Sequence, residues 1–161
     1  RYAHSQLSST ELEWMASLPF VRPLNDDVLL CHGTPTSDIT YLLQTADQSA
    51  TPAEIATRLG PVTESLVLCG HTHVPRSVRS GVTLIVNPGS VGHPAYADTY
   101  PRPHVVETGS PDARYAIVEK RNGDWVADLI SVPYACREMA ELARLRNRPD
   151  WVCALLTGYM A

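Results

Sequence analysis

Three short apolar runs punctuate the chain: Val28-Leu29-Leu30-Cys31, Leu66-Val67-Leu68-Cys69 and Val82-Thr83-Leu84-Ile85-Val86. Each is too short for a helix and breaks off at polar or small residues, which predicts buried strands at 28–31, 66–69 and 82–86. Ahead of the first run, Thr10 to Leu18 predicts a helix, with a capping box between Thr10 and Glu13 and a stop at Pro19. Thr36 to Ala50 predicts a long polar loop. The next start signal is stronger. Thr51 is a cap, Pro52 takes the first helical position and Glu54 reaches back, so a helix should run to about Arg58 and end at Gly60-Pro61.

Beyond the third run, His93 to Asp112 is rich in Pro, Tyr, His and Gly and predicts an irregular loop. Arg114 to Lys120 and Asp124 to Val132 alternate in polarity around Asn122-Gly123, the strongest short hairpin signal. Tyr134 to Arg146 predicts a helix with Met139, Leu142 and Ala143 on one stripe, and Asp150 to Tyr159 a last helix. Strands and helices alternate without a repeat or low-complexity tract. The expectation is a single α/β domain over residues 1–161.

Composition narrows the function classes. The 161 residues carry 13 basic and 17 acidic side chains, net −4, with no basic run to mark a nucleic-acid polymer as partner. No apolar stretch approaches the length that spans a bilayer, so no membrane partner is expected. None of the four cysteines forms a C-x-x-C pair. Cys31 and Cys69 lie in apolar runs and Cys136 and Cys153 in predicted helices, which reads as buried, reduced thiols in a cytoplasmic protein.

The candidate chemistry sits where the apolar runs end. The second delivers His71 and His73 through Gly70-His71-Thr72-His73. If the backbone stays extended there, both imidazoles leave one face and Thr72 the other. The first delivers His32, followed by Gly33 and Pro35, and the third ends in Asn87-Pro88-Gly89-Ser90-Val91-Gly92. Ligand sites in α/β sheets form at strand ends, neutral imidazole is the commonest protein metal ligand, and glycines let backbone N–H groups approach an anion. A metal site beside a phosphate-sized pocket follows.

Other residues have plainer readings. Ser90 lacks the glycine two positions earlier that a nucleophile elbow needs (Pro88 is there), so it reads as a phosphate-loop hydroxyl. No lysine follows a glycine run in the Walker manner. His93 could reach a substrate or be a solvated loop histidine. His4 and His104 read as surface residues, Trp125 and Trp151 as packing.

Cys31-His32-Gly33-Thr34-Pro35, Gly70-His71-Thr72-His73 and Asn87-Pro88-Gly89-Ser90-Val91-Gly92, in that order, resemble the C-terminal half of the calcineurin-like metallophosphoesterases, in particular their small bacterial phosphodiesterases and phosphatases. The match spans roughly residues 28 to 92; Asp124 to Pro133 resembles the family's late strand and Trp151 to Tyr159 its C-terminal helix. The resemblance implies a β-sandwich flanked by helices in αββα layers. It implies hydrolysis of a phosphomonoester or phosphodiester by a hydroxide bridging two divalent ions about 3.5–4 Å apart. Carried over by position, His32 and His71 would bind one ion and His73 the other, with Asn87, Gly89 and Ser90 in the phosphate loop and His93 as a possible substrate contact. Manganese is the first choice of metal, with iron, zinc or nickel also compatible with such donors.

The family's Asp-x-His, Gly-Asp and Gly-Asn motifs do not precede His32 here, and Arg1-Tyr2-Ala3-His4 resembles the continuation just after the Gly-Asn motif. The resemblance therefore implies a C-terminal portion whose N-terminal strands and carboxylates belong to a missing segment of the same protein. Residues 1–161 alone would be inactive. The partners expected are that segment and a small phosphoester substrate, with a homo-oligomer left open. Two other classes stay open: a non-catalytic interaction scaffold on this fold, and a structural zinc module using His32, His71, His73 and a cysteine.

Overall fold

The computed structural model describes residues 2–161, so Arg1 lies outside the described residues. Helices α1 (Tyr2–Gln6) and α2 (Ser9–Ser17) come first, then strands β1 (Val21–Asn25) and β2 (Val28–Cys31). Helix α3 (Pro52–Leu59) leads to β3 (Leu66–Leu68), β4 (Arg76–Ser80) and β5 (Thr83–Asn87). Hairpins β6 (Ala95–Asp98) with β7 (His104–Glu107) and β8 (Ala113–Arg121) with β9 (Asp124–Val132) precede α4 (Cys136–Leu145) and α5 (Pro149–Thr157).

The three apolar runs are the heart of a five-stranded sheet ordered β1-β2-β3-β5-β4. Strands β2, β3 and β5 are parallel, as runs buried on both faces should be, while β1 and β4 close the edges antiparallel. Side-chain alternation divides the core in two. Leu29, Cys31, Val67, Cys69 and Ile85 face Ile55 and Leu59 of α3 together with Leu42, Leu43 and Ala50. Val28, Leu66, Leu84 and Val86 face Ala116, Val118, Trp125 and Ala127 of the β8–β9 hairpin. The result is mixed α/β, with sheets flanked by helices; among the described residues the layer facing the main sheet here is this hairpin.

Several expectations change. The first capping box is two residues earlier: Glu11 N–H donates to Ser8 Oγ (3.3 Å) and Ser8 N–H to Glu11 Oε2 (2.8 Å), so Ser8 competes successfully with Thr10. The 36–50 segment has no helix or long strand, but it is not a polar surface loop. Tyr41, Leu42 and Leu43 are buried, and their segment's carbonyls are taken by arginines. Arg58 Nη1 donates to Tyr41 O (3.1 Å) and Gln44 O (2.7 Å); Arg76 donates to Leu43 O and, at 3.1 Å, to Ala50 O. The irregular loop expected over 93–112 contains the β6–β7 hairpin. In α4, Ala140 and Ala143 are the buried stripe, while Met139 and Leu142 remain exposed because α5 offers Leu155 and Trp151 to the alanine side. No described helix is long and apolar enough to cross a membrane.

Candidate metal centre

Because β2, β3 and β5 run in parallel, the residues that follow them gather at one end of the sheet. A cleft of about 680 Å³ opens there, lined by His32, His71, His73, Pro88, Gly89, Ser90 and, from β8, Arg114. The backbone of His32 is clamped on both sides: its N–H donates to Phe20 O (3.1 Å) and its carbonyl accepts from Gly70 N–H (2.9 Å). The rings of His32 and His71 lie 4.8 Å apart.

The route to this convergence is not the extended one. His71 (φ 66°) and His73 (φ 59°) both adopt left-handed backbone, where a non-glycine residue pays about 1–2 kcal/mol. Thr72 between them is buried, and Asn87 holds the distortion in place. Asn87 Nδ2 donates to Gly70 O (2.6 Å) and Thr72 Oγ1 (2.9 Å), while its Oδ1 accepts from Gly89 N–H (2.9 Å). Two kinks, rather than strand alternation, aim both rings into the cleft, and strain of this kind collects at functional sites.

Each ring is also turned by a carbonyl. His71 Nε2 lies 3.2 Å from Ile39 O and His73 Nδ1 lies 2.7 Å from His93 O, so those nitrogens carry the protons. The free lone pairs are then Nδ1 of His71 and Nε2 of His73. Burial pushes both side chains below the ordinary histidine range, against the carbonyl contacts that pull the other way, which favours the neutral form. Neutral rings fixed by a backbone carbonyl on the far nitrogen are what a metal ligand requires. The donor set is partial: no aspartate or glutamate lines the cleft, and among the described residues no three His, Cys, Asp or Glu side chains form a group that could hold an ion.

A second layer lies behind His71 that sequence reading missed. Tyr96 of β6 donates its hydroxyl to His71 O (3.0 Å), and the Tyr41 ring meets the His71 ring edge-on at 4.8 Å. The Tyr41 hydroxyl reaches Tyr96 (3.2 Å), Asp98 (3.0 Å) and His104 Nε2 (3.1 Å). Burial, then Tyr96 and Asp98, push the Tyr41 phenol well above its usual range, so it stays protonated. His104, expected at the surface, is a member of this network.

The other expected residues divide. Gly89 and Ser90 line the cleft, but the Asn87 side chain lies beneath it and ties loops together. Ser90 Oγ accepts from the N–H groups of His93 (3.1 Å) and Gly92 (3.4 Å), a turn-capping role. The His93 ring lies 5.7 Å from the His73 ring and 4.7 Å from that of Trp151, tilted against it, and lines a neighbouring cavity of about 250 Å³; its carbonyl accepts from His73. Cys31 and Cys69 are buried in the core, burial pushing the Cys31 thiol up to about 11.

The family model of the calcineurin-like phosphoesterase superfamily domain matches residues 4–109, which contain His32, His71, His73, Gly89 and Ser90. Among solved structures, a metallophosphoesterase from Sphaerobacter thermophilus shares the fold at a TM-score of 0.74 and 24% identity, covering 96% of this chain and 64% of that one. A hypothetical protein from Pyrococcus horikoshii OT3 does so at 0.69 and 19% identity, covering 98% of this chain and 57% of its own. The chain thus spans about three-fifths of the length of these structural relatives, 64% and 57%. No curated protein matches it.

Proposed function

Because the chain belongs to the calcineurin-like phosphoesterase superfamily, we propose that the complete protein hydrolyses a small phosphomonoester or phosphodiester at the cleft above β2, β3 and β5. The superfamily's general chemistry is metal-dependent phosphoester hydrolysis. In this reading His32 and His71 hold one divalent ion and His73 a second, manganese being the first choice. When bound, such a pair supplies Lewis acidity and an activated water near neutral pH.

The observation that carries the reading is the fixed orientation of His71 and His73, each with one ring nitrogen on a backbone carbonyl and the other without a partner among the described residues, in a cleft that Gly89 and Ser90 also line. The chain's own residues do three things in it. Tyr96, Tyr41 and Asn87 position the imidazole-bearing loop; burial keeps the rings neutral; the Gly89-Ser90 turn shapes the wall against which the phosphoryl group rests. Three neutral rings cannot offset the charge of two dications, so carboxylates from a further segment of the same protein complete the site. A structural zinc module is less favoured: Cys31 and Cys69 border the cleft, but they are buried in the apolar core and burial pushes both thiols up, away from the thiolate a zinc ligand needs.

The test is metal analysis and hydrolysis of p-nitrophenyl phosphate and bis-p-nitrophenyl phosphate by the full-length protein with added Mn²⁺. Bound metal with turnover of either ester supports the reading. Retained fold without metal or turnover would leave the non-catalytic scaffold in its place.

A further inference from the structure

Strand β8 alternates as a half-buried strand should, with Ala116 and Val118 turned to the sheet and Tyr115 and Ile117 exposed. Arg114 shares the inward parity. It occupies a position that the pattern assigns to an apolar side chain, at the end of the hairpin nearest the histidines, and it lines the cleft with them. Its backbone N–H donates to Ser90 O (3.0 Å). Its side chain lies against Gly89, where an added Cβ would stand 2.9 Å from Arg114 Cδ. Both contacts fix the arginine stem on the Gly89-Ser90 turn.

Arg114 Nε is buried without a hydrogen-bond partner, and among the described residues no carboxylate lies within ion-pair distance of this arginine. Arg58, Arg102, Arg121, Arg144 and Arg148 face acids and Arg76 and Arg79 face carbonyls, while Arg22, Arg137 and Arg146, which make no such contact among the described residues, are exposed to water. A buried N–H without an acceptor asks for an explanation. Leu30, Leu68, Val86 and Val118 line the same cleft, and a charge acts more strongly beside apolar walls than in bulk water.

We propose that Arg114 is the phosphate-binding residue of this cleft, its planar guanidinium taking two non-bridging oxygens of the substrate's phosphoryl group. The inference rests on the hydrolase reading for its substrate. The residue type fits: a guanidinium fork matches phosphate bidentately, whereas the neutral imidazoles and Ser90 present no fixed positive charge. Arg114 also lies beyond the segment that the family model matches.

The probe is inorganic phosphate, titrated calorimetrically into the full-length protein and its Arg114→Met and Arg114→Lys variants. Methionine keeps the stem's packing and removes the fork. Phosphate affinity should fall about 10- to 100-fold in Arg114→Met, the effect of losing charge-assisted hydrogen bonds, with lysine recovering part. KM for p-nitrophenyl phosphate should rise by a similar factor while Mn²⁺ content stays unchanged. Phosphate affinity within twofold of wild type in a folded Arg114→Met protein overturns the proposal. A wild-type measurement covers a variant that does not fold: the ¹⁵N-labelled Arg114 Nε–H signal, identified by its loss in Arg114→Lys, should move on adding phosphate. A stationary signal overturns it equally. Arg114-dependent phosphate binding in a protein without turnover would instead remove the hydrolase reading and leave this one standing.

Discussion

Asn87 and Thr72 meet side by side beneath the cleft, the amide Nδ2 of one 2.9 Å from the hydroxyl of the other, and both are about 1% exposed. This contact joins the end of β5 to the loop after β3, and the histidines flanking Thr72 depend on it. Replacing Asn87 by alanine leaves Gly89 N–H without its partner and removes one of two donors from each of Gly70 O and Thr72 Oγ1, which keep the N–H groups of Thr72 (2.8 Å) and Val74 (3.4 Å). An orphaned buried group costs about 1–3 kcal/mol. Asn87→Ala should therefore lower the urea midpoint and weaken Mn²⁺ binding together. An unchanged midpoint would show that the loops hold their shape without it.

His71→Ala and His73→Ala separate the two properties that Asn87 couples. Both rings line a cleft rather than fill the core, so either variant should keep its thermal midpoint within a few degrees. Mn²⁺-dependent hydrolysis by the full-length protein should fall below detection in each. Full activity under metal-limited conditions in either variant would contradict their assignment as ligands.

How much of this was legible in the sequence depended on how many faces an element buries. Strands β2, β3 and β5 are apolar on both sides, and their runs stand out. Strands β1 and β4 lie at the edges and give the core one partly buried side chain each, Val21 and Val78, so Arg76-Ser77-Val78-Arg79-Ser80 reads as loop. Pro23 disguises β1 further, although an edge strand tolerates proline. Hairpin β6–β7 buries little more than Ala95 and Val106 and is tied down by the Tyr41, Tyr96, Asp98 and His104 side chains. Pairings 55 to 63 residues apart leave no local trace.

The gathering of His32, His71 and His73 at one cleft was legible in the strand-to-histidine construction, while its supports were not. Nothing in Gly70-His71-Thr72-His73 announces left-handed backbone at two histidines; the distortion exists because Asn87, 15 residues from Thr72, holds it. Arg114 had one available signal: a charge at the inward parity of a strand whose neighbours there are Ala116 and Val118.

Gly89 lies between Arg114 and His73 at φ +92°, a backbone conformation that L residues avoid. An added Cβ would meet Arg114 Cδ at 2.9 Å and His73 O at 3.3 Å. Gly89→Ala should cost about 1–3 kcal/mol through the backbone alone. It should also displace the arginine, so phosphate affinity should drop beyond what the stability loss explains. Calorimetry on the folded variant decides, and wild-type affinity would contradict the close approach.

Tyr41→Phe removes the hydroxyl shared by Tyr96, Asp98 and His104 without changing the ring that packs on His71. The loss should be about 0.5–1.5 kcal/mol, typical of one side-chain hydrogen bond. Tyr41→Ala should cost more and also impair Mn²⁺ binding, because the ring contact goes with it. Equal effects of the two variants on metal affinity would mean that the hydroxyl network, not the ring, orients His71.

Far from the cleft, Asp27 joins the main sheet to the β8–β9 hairpin. Its carboxylate accepts from Lys120 Nζ (2.6 Å) and Ser65 Oγ (3.1 Å), and Ser65 Oγ in turn accepts from Trp125 Nε1 (2.9 Å). The Lys120 contact, with help from Ser65, holds the Asp27 carboxyl below its ordinary value of 3.8. Between the lowered folded value and the ordinary unfolded one, the unfolded chain binds a proton that the folded chain does not. Stability from this group is therefore complete above the ordinary value and lost as the pH falls through the lowered one. The pair is exposed, so the effect is small and salt-sensitive. Asp27→Asn should lower the urea midpoint at about pH 6 and converge on wild type as the pH falls through the lowered value, where the wild-type carboxylate is protonated in the folded chain too. A gap between the two proteins that stays constant across that range would show that Asp27 acts through packing or neutral hydrogen bonds, with no part played by its charge.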